Sequence, residues 1–330
     1  MFESHASVIS HSYPCLLGDI GGTNARFGWQ EYPGANITHV EVLPCADHPS
    51  LEAAIRTYLE HQNLPNPAAG SFGIANPVTG DELGMTNHHW KMSINALRQS
   101  LGWQRLLFIN DFTALALALP LLPEHEKRQV GPGLRVQGAA IGLIGPGTGL
   151  GVSGLLPNGE QRWVPISGEG GHVTVSATTE LEFALIQQLQ KRYGHVSAER
   201  VICGAGLVDL HHALCEVTNA QRHEITTAAE VLESAKEHPG GAADQALDLF
   251  CGFLGAVAGD LALTLGARGG VFIGGGIVPR LGDRFDASPF RSKFEAKGRF
   301  KSYLQDIPTW VIQSQISPAL LGASQALTLN

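Results

Sequence analysis

Short apolar runs alternate with glycine-rich and polar breaks from residue 16 onward. Residues 16–19 form the first run, 24–30 the second and 37–43 the third. The breaks between them are short enough for antiparallel hairpins. After Pro49-Ser50, apolar Leu51, Ala54, Ile55, Tyr58 and Leu59 recur at helical spacing and predict a helix over 51–61. A buried strand follows over 71–75. Ser93 as cap and Gly102 as stop bracket a second helix over 94–101. Residues 106–109 make another strand, ahead of an apolar helix start at 112–119. The order is three strands, helix, strand, helix, strand.

That order recurs. Residues 139–144, 151–156 and 162–166 read as three strands, the last two joined by an Asn158-Gly159 turn. Thr179 and Glu182 form a capping box for a helix over 180–193, with Gly194 just past its end. Helical sequence runs over 242–265, and Gly269-Gly270 leads into a strand over 271–273. The pattern predicts an α/β protein built from two copies of one mixed unit with a cleft between them. The second copy is larger and carries extra helices. Only the element order repeats; the residues do not.

Length and charge narrow the picture. A chain of 330 residues has room for two domains, each able to bury a core. Apolar residues are 44% and charged residues 16%, a globular balance rather than a disordered one. The net charge of −8 argues against a general nucleic-acid binder, which needs a basic face. Small phosphate ligands stay possible, since they need only local donors. Five scattered cysteines (Cys15, Cys45, Cys203, Cys215, Cys251) lack the spacing of a disulfide framework or a structural zinc site, and point to a reducing cytoplasm. No apolar run approaches the roughly 18 residues of a membrane helix. Residues 1–14 have neither the basic nor the apolar segment of a secretory signal and read as a mobile tail.

The candidate chemistry sits at strand ends. Three glycine-rich turns follow apolar strands: Asp19-Ile20-Gly21-Gly22-Thr23-Asn24, Gly145-Pro146-Gly147-Thr148-Gly149-Leu150-Gly151, and Gly274-Gly275-Gly276. Glycine lets backbone amides approach and face an anion, and the strand ends of α/β sheets are where ligands bind. Any one of these could be an ordinary tight turn. No GxxxxGKS or GxxxxGKT occurs. The lone GxGxxG, at 149–154, precedes a hairpin instead of a helix, so the dinucleotide-binding context is absent. Three acids stand near these turns: Asp111 after Asn110, Glu169 in Gly168-Glu169-Gly170-Gly171-His172, and Glu199 downstream of Gly194. A carboxylate at a strand end serves as a general base or holds a metal through water. The local alternatives are a helix N-cap for Asp111, a first-turn acid on a helix begun by Ser197 for Glu199, and a structural role for His172. The other histidines, His88-His89 and His211-His212 among them, lack a convincing ligand set.

Six motifs stand in order across nearly the whole chain: LLGDIGGTNARFG at 16–28, INDFTA at 109–114, GPGTGLGV at 145–152, SGEGGHV at 167–173, GHVSAERV at 194–201 and GGVFIGGGIVPR at 269–280. Together they resemble the bacterial-type glucokinases, in the hexokinase branch of the actin-like ATPase superfamily. The resemblance implies two ribonuclease-H-like α/β domains of mixed sheet plus helices, flanking a catalytic cleft. Residues 1–121 with 313–330 would form the small domain and 122–312 the large one. It implies ATP- and Mg²⁺-dependent phosphorylation of glucose at the 6-hydroxyl, the first step of glycolysis, by a cytoplasmic homodimer with no nucleic-acid or membrane partner.

By the same resemblance, Gly18, Asp19, Ile20, Gly21, Gly22, Thr23 and Asn24 belong to the first phosphate motif, with Asp19 organising Mg²⁺ through water. Gly145, Gly147, Thr148 and Gly149 match the second phosphate loop, and Gly274, Gly275 and Gly276 the adenosine-side loop. Asn110, Glu169, His172 and Glu199 match sugar-hydroxyl ligands. Asp111 matches a sugar ligand and the catalytic base. The related repressor and kinase family also carries a GExGH element, but its zinc-binding cysteine cluster is missing: the next cysteine after His172 is Cys203. Nor do the first 15 residues leave room for that family's DNA-binding helix-turn-helix. A kinase for mannose, fructose or an N-acetylated hexosamine stays open as an alternative, as does a non-catalytic sugar sensor. The three phosphate loops and Asp111 argue against the sensor. The donor stays open between ATP, another nucleotide and polyphosphate.

Overall fold

Strand β1 (Cys15–Ile20) sends alternate side chains into two cores. Leu16 and Ile20 pack with Phe27, Tyr58 and Phe72, while Cys15 and Leu17 pack with Ala69, Leu320 and Ala323. A strand covered on both faces reads as a near-continuous apolar run, and the first motif of the chain has that form. The computed structural model describes residues 12–85, 88–159, 162–220, 224–314 and 317–329; the tail read at 1–14 lies outside them up to residue 11. Contacts divide the chain into two units, the first running to Leu122 and resuming at Ser314, the second covering Pro123–Gln313.

In the first unit β1 pairs antiparallel with β2 (Asn24–Gln30), and β2 with β3 (Thr38–Pro44). On its other side β1 runs parallel to β4 (Ala69–Ile74). A small hairpin of β5 (Glu82–Gly84) and β6 (Lys91–Ser93) intervenes. Then β7 (Arg105–Asn110) lies parallel to β4, giving the order β3-β2-β1-β4-β7. The Leu51–His61 helix begins where Ser50 Oγ accepts from the Ala53 amide at 3.1 Å. The Ile94–Leu101 helix is capped by Ser93 and stops at Gly102. The Asp111–Ala118 helix follows β7 directly.

The second unit adds β8 (Lys127–Val130), β9 (Ile141–Pro146), β10 (Leu150–Pro157), β11 (Trp163–Ser167), β12 (Val271–Ile273) and β13 (Thr309–Ile312), in the order β11-β10-β9-β12-β13-β8. Its first five positions repeat the first sheet: an antiparallel meander of β9, β10 and β11, then β12 and β13 parallel to β9. The extra strand, β8, pairs antiparallel with β13. The polar sequence of β8 and the brevity of β13 hid both from the apolar pattern. The capping box is present: Thr179 Oγ1 accepts from the Glu182 amide at 3.2 Å, and Glu182 Oε2 from the Thr179 amide at 3.1 Å.

The Ala242–Leu265 helix corrects one expectation. Its 24 residues are long and apolar enough to cross a membrane. Asp248, Asp260 and the five glycines or alanines between them disguise the run. About two thirds of its apolar window is buried, and a helix that is apolar all round belongs equally to a protein core. A Cβ on Gly255 would lie 2.1 Å from the Phe290 carbonyl oxygen, so the Phe290–Glu295 helix packs at backbone contact.

The chain then returns to the first unit as the Pro318–Ala326 helix. Ser71 Oγ donates to the Ala323 carbonyl at 2.7 Å and Arg105 Nη1 to the Leu327 carbonyl at 2.9 Å. At Gly322 this helix meets the Asp111–Ala118 helix so closely that a Cβ would lie 1.6 Å from the Ala114 carbonyl oxygen.

Candidate active site

In the first unit, register brings the acids to one sheet edge. Asp19, Gly73 and Ile109 stand level across β1, β4 and β7. Asp111 begins its helix two residues past that row. The β1 and β7 strand ends are two strand spacings apart, about 10 Å. Gly73 between them leaves room for the helix start: a Cβ there would meet Ala114 Cβ at 3.2 Å and Asp111 Cα at 3.5 Å.

The helix cap falls to Asn110 and not to Asp111. Asn110 Oδ1 accepts from the amides of Phe112 at 3.0 Å and Thr113 at 3.1 Å. Asp111 Oδ1 accepts from the Phe112 amide at 2.8 Å and from Asn110 Nδ2 at 3.1 Å. Asp111 Oδ2 has no hydrogen-bond partner among the described residues. Burial pushes the Asp111 carboxyl up to about 6; the Phe112 amide pulls it down, and the charge of Asp19 pushes it up. Capping uses the Asn110 carbonyl oxygen, so its amide nitrogen is the end left for a ligand.

Asp19 faces Arg26 across the β1–β2 hairpin, and Arg26 Nη1 donates to Asp19 Oδ2 at 2.8 Å. The motif reading did not single out Arg26. A hairpin turning on residues 21–23 pairs 19 with 26, so register alone could have found it. The turn is pinned by the Gly21 amide on the Asn24 carbonyl at 3.0 Å and the Cys45 amide on the Thr23 carbonyl at 2.8 Å. Gly21 and Gly22 are partly exposed, Thr23 and Asn24 exposed. Gly18 and Ile20 are buried; the space a Gly18 side chain would need holds the Phe72 ring.

In the second unit, the second and third glycine turns lie at the ends of neighbouring parallel strands, β9 and β12. Gly145 is buried within β9, and the Gly147 and Gly149 backbone is partly exposed on either side of exposed Thr148. The Gly274 amide donates to the Ile144 carbonyl at 2.9 Å. Gly275 has φ +78, and a Cβ on it would lie 2.2 Å from the Pro146 carbonyl oxygen, so only glycine lets these turns meet. Gly276 is exposed. The Gly204–Thr218 helix starts against the same place: its Gly204 amide donates to the Gly147 carbonyl at 2.9 Å. The motif reading did not include this helix start, whose Gly204 and Gly206 amides are taken by the Gly147 carbonyl and Cys203 Sγ.

Glu169, His172 and Glu199 are brought together in this unit. Glu169 and His172 are exposed at the ends of one turn, closed by the His172 amide on the Glu169 carbonyl at 3.0 Å. The Glu199 amide donates to the Gly171 carbonyl at 2.9 Å. The helix expected to begin at Ser197 does not form there: 197–203 make successive turns, and the helix starts at Gly204. Glu199 is therefore no first-turn acid. Its Oε2 accepts from the Leu150 amide at 2.9 Å, at the base of the second glycine turn.

The Glucokinase family model matches residues 16–330. The chain is 52% identical over 319 residues to a glucokinase of Aromatoleum aromaticum, covering 96% of each. It is 48% identical over 315 residues to the bifunctional protein glk of Burkholderia thailandensis; that match takes in 95% of this chain and 48% of the other, so the chain spans about half of that relative. Among solved structures, a glucokinase from an Antarctic psychrotroph superposes with a TM-score of 0.86 at 34% identity, over 96% of this chain and 99% of that one. Two repeated mixed sheets, glycine turns at their strand ends and six ordered motifs agree with these matches: the chain belongs to the glucokinase family.

Proposed function

We propose that the chain transfers the γ-phosphoryl group of ATP to the 6-hydroxyl of glucose, giving glucose 6-phosphate and ADP. The observation that carries this reading is its 52% identity, over 96% of both chains, to a protein named glucokinase. Neither another hexose nor a sensor role is favoured by these relatives.

On this reading Asp111 accepts the proton of the 6-hydroxyl through Oδ2 as that oxygen attacks. Its first oxygen, tied to the Phe112 amide, fixes the direction of the second. Glu169, His172, Glu199 and the amide nitrogen of Asn110 bind the remaining hydroxyls, each of which is both donor and acceptor. A sugar lacking one of them would leave a partner unpaired and bind poorly. The Gly21–Asn24 and Gly147–Gly149 turns receive the phosphates through amides other than those of Gly21 and Gly147, which bond within their own turns, and Gly274–Gly276 the adenosine side. Phosphoryl transfer needs positioning and charge neutralisation more than covalent help.

Asp19 suits a magnesium ion. Oδ2 is occupied by Arg26 and Oδ1 has no partner among the described residues, where no group of three or more His, Cys, Asp or Glu is gathered. One carboxylate is enough for an ion that keeps several waters and takes its other ligands from phosphates. Bound there, Mg²⁺ would neutralise charge on the transferring phosphoryl. A reducing cytoplasm suits the five cysteines, all free and buried.

The test is ADP release from Mg·ATP with glucose, mannose, fructose or N-acetylglucosamine. Release with glucose above the others is expected. Release with another hexose alone would change the acceptor, and none with any sugar would end the kinase reading.

The raised carboxyl of Asp111 sets a pH limit. A base works only when ionised, so protonation below about 6 removes activity. At saturating Mg·ATP, kcat/KM for glucose should fall about tenfold per pH unit below that point and level off above it. An acid limb centred near 4, the ordinary carboxyl value, would exclude Asp111 as the titrating base.

A further inference from the structure

We propose that Glu199 is a positioning residue for the Gly147–Gly149 phosphate turn as well as a sugar ligand, so that one carboxylate couples the two binding events. The inference rests on the kinase reading and adds to it a role for which sugar contact alone gives no reason.

The turn is a Gly-Thr-Gly hairpin tip without side-chain packing of its own, and glycine loses more freedom on ordering than any other residue. Among the described residues, three hydrogen bonds hold it beyond the β9–β10 ladder at its base. The Gly147 amide donates to the Gly149 carbonyl at 2.8 Å, the Gly204 amide to the Gly147 carbonyl at 2.9 Å, and the Leu150 amide to Glu199 Oε2 at 2.9 Å. Only the third uses a side chain, and its acceptor is charged, which strengthens it. The approach is close: a Cβ on Gly149 would lie 2.6 Å from Glu199 Oε2.

The same residue is built into the sugar side. The Glu199 amide donates to the Gly171 carbonyl at 2.9 Å and the Ala198 amide to the Val173 carbonyl at 2.8 Å. These bonds fasten the Glu199 segment to the turn that carries Glu169 and His172. A Cβ on Gly171 would sit 2.2 Å from the Leu150 carbonyl oxygen, so that turn rests on the base of the phosphate turn as well. Glu199 Oε1 has no partner among the described residues and is free to accept from a sugar hydroxyl.

A sugar that fixes the carboxylate through Oε1 also fixes Oε2, and with it the Leu150 amide. The cost of ordering the phosphate turn is then met before nucleotide arrives, and nucleotide binds more tightly. Linkage requires the reverse effect to be equal.

The experiment is equilibrium binding of N-methylanthraniloyl-ADP, with and without glucose, to the wild-type protein, Glu199→Ala and Glu199→Gln. In the wild type, glucose tightens ADP binding. Glu199→Ala should weaken ADP binding about tenfold even without sugar, the scale of one hydrogen bond to a charged group, and glucose should no longer tighten it. Glu199→Gln keeps an oxygen for the Leu150 amide. It should restore ADP affinity to within about threefold while glucose affinity stays low. A residue that only touched sugar would leave sugar-free ADP binding unchanged in Glu199→Ala, and that result overturns the proposal. A wild type that binds no ADP would instead overturn the kinase reading. Should Glu199→Ala fail to fold, Gly149→Ala forces the carboxylate away from Leu150; wild-type coupling in that variant also overturns the proposal.

Discussion

Asp111→Asn lowers kcat by about a thousandfold and leaves glucose and nucleotide binding within a few-fold of wild type. General-base catalysis is worth about 10²–10⁴, and an amide cannot take the 6-hydroxyl proton. The substitution keeps the shape of the helix start, because an amide oxygen can still accept from the Phe112 amide as Asp111 Oδ1 does at 2.8 Å. The cap itself belongs to Asn110 and is untouched. The loss should therefore appear in kcat, with KM for glucose little changed. Near-normal turnover would remove Asp111 from the mechanism. Stability should move the other way. A carboxyl raised to about 6 binds a proton more readily in the folded state than in the unfolded one, so the wild type loses stability as pH rises from about 4 to 6 and does not regain it above. Asparagine has no such cost. Asp111→Asn should be more stable by about 1–2 kcal/mol at pH 7, the figure discounted because the side chain is only partly buried, and no more stable at pH 4. Denaturant melts at the two pH values check this.

Gly322→Ala should cost about 3 kcal/mol or more, although it adds a single methyl group. The new Cβ would lie 1.6 Å from the Ala114 carbonyl oxygen and 2.4 Å from its carbon. Both are backbone atoms of the Asp111–Ala118 helix, so no side-chain rotation relieves the clash. One helix must move by more than an ångström, which is overpacking at the upper end of its usual cost. The displaced helix is the one that begins with Asp111, so turnover should fall along with stability. Urea unfolding followed by tryptophan fluorescence detects this unit through buried Trp29, Trp90 and Trp103, alongside Trp310 of the second unit. Gly80→Ala is the control: a Cβ there meets nothing within 4 Å, and its midpoint should barely change. A wild-type midpoint for Gly322→Ala would mean that the two helices do not pack at backbone contact.

Local chemistry in the sequence determined much of this protein. Ser50, Ser93 and Thr179 start helices where short-range capping says they should, because a cap needs only residues within one turn. The strand β2 and the hairpins beside it follow from apolar runs and tight turns, which are also local. The glycine turns and most candidate site residues were legible as motifs, since each sits at the end of an apolar run. Tertiary structure decided what sequence distance hides. Whether Ala242–Leu265 belonged to a core depended on Phe290 and Phe294 being packed against Gly255 and Gly259. Strands β8 and β13 exist because pairing in a sheet supplies hydrogen bonds that their own short sequences do not announce. Glu199 looked like a helix-start acid from its neighbours, and the Leu150 amide, 49 positions away, gives its carboxylate a different task. Hydrogen bonds and close contacts of that kind depend on where the chain returns, and only the folded chain supplies that.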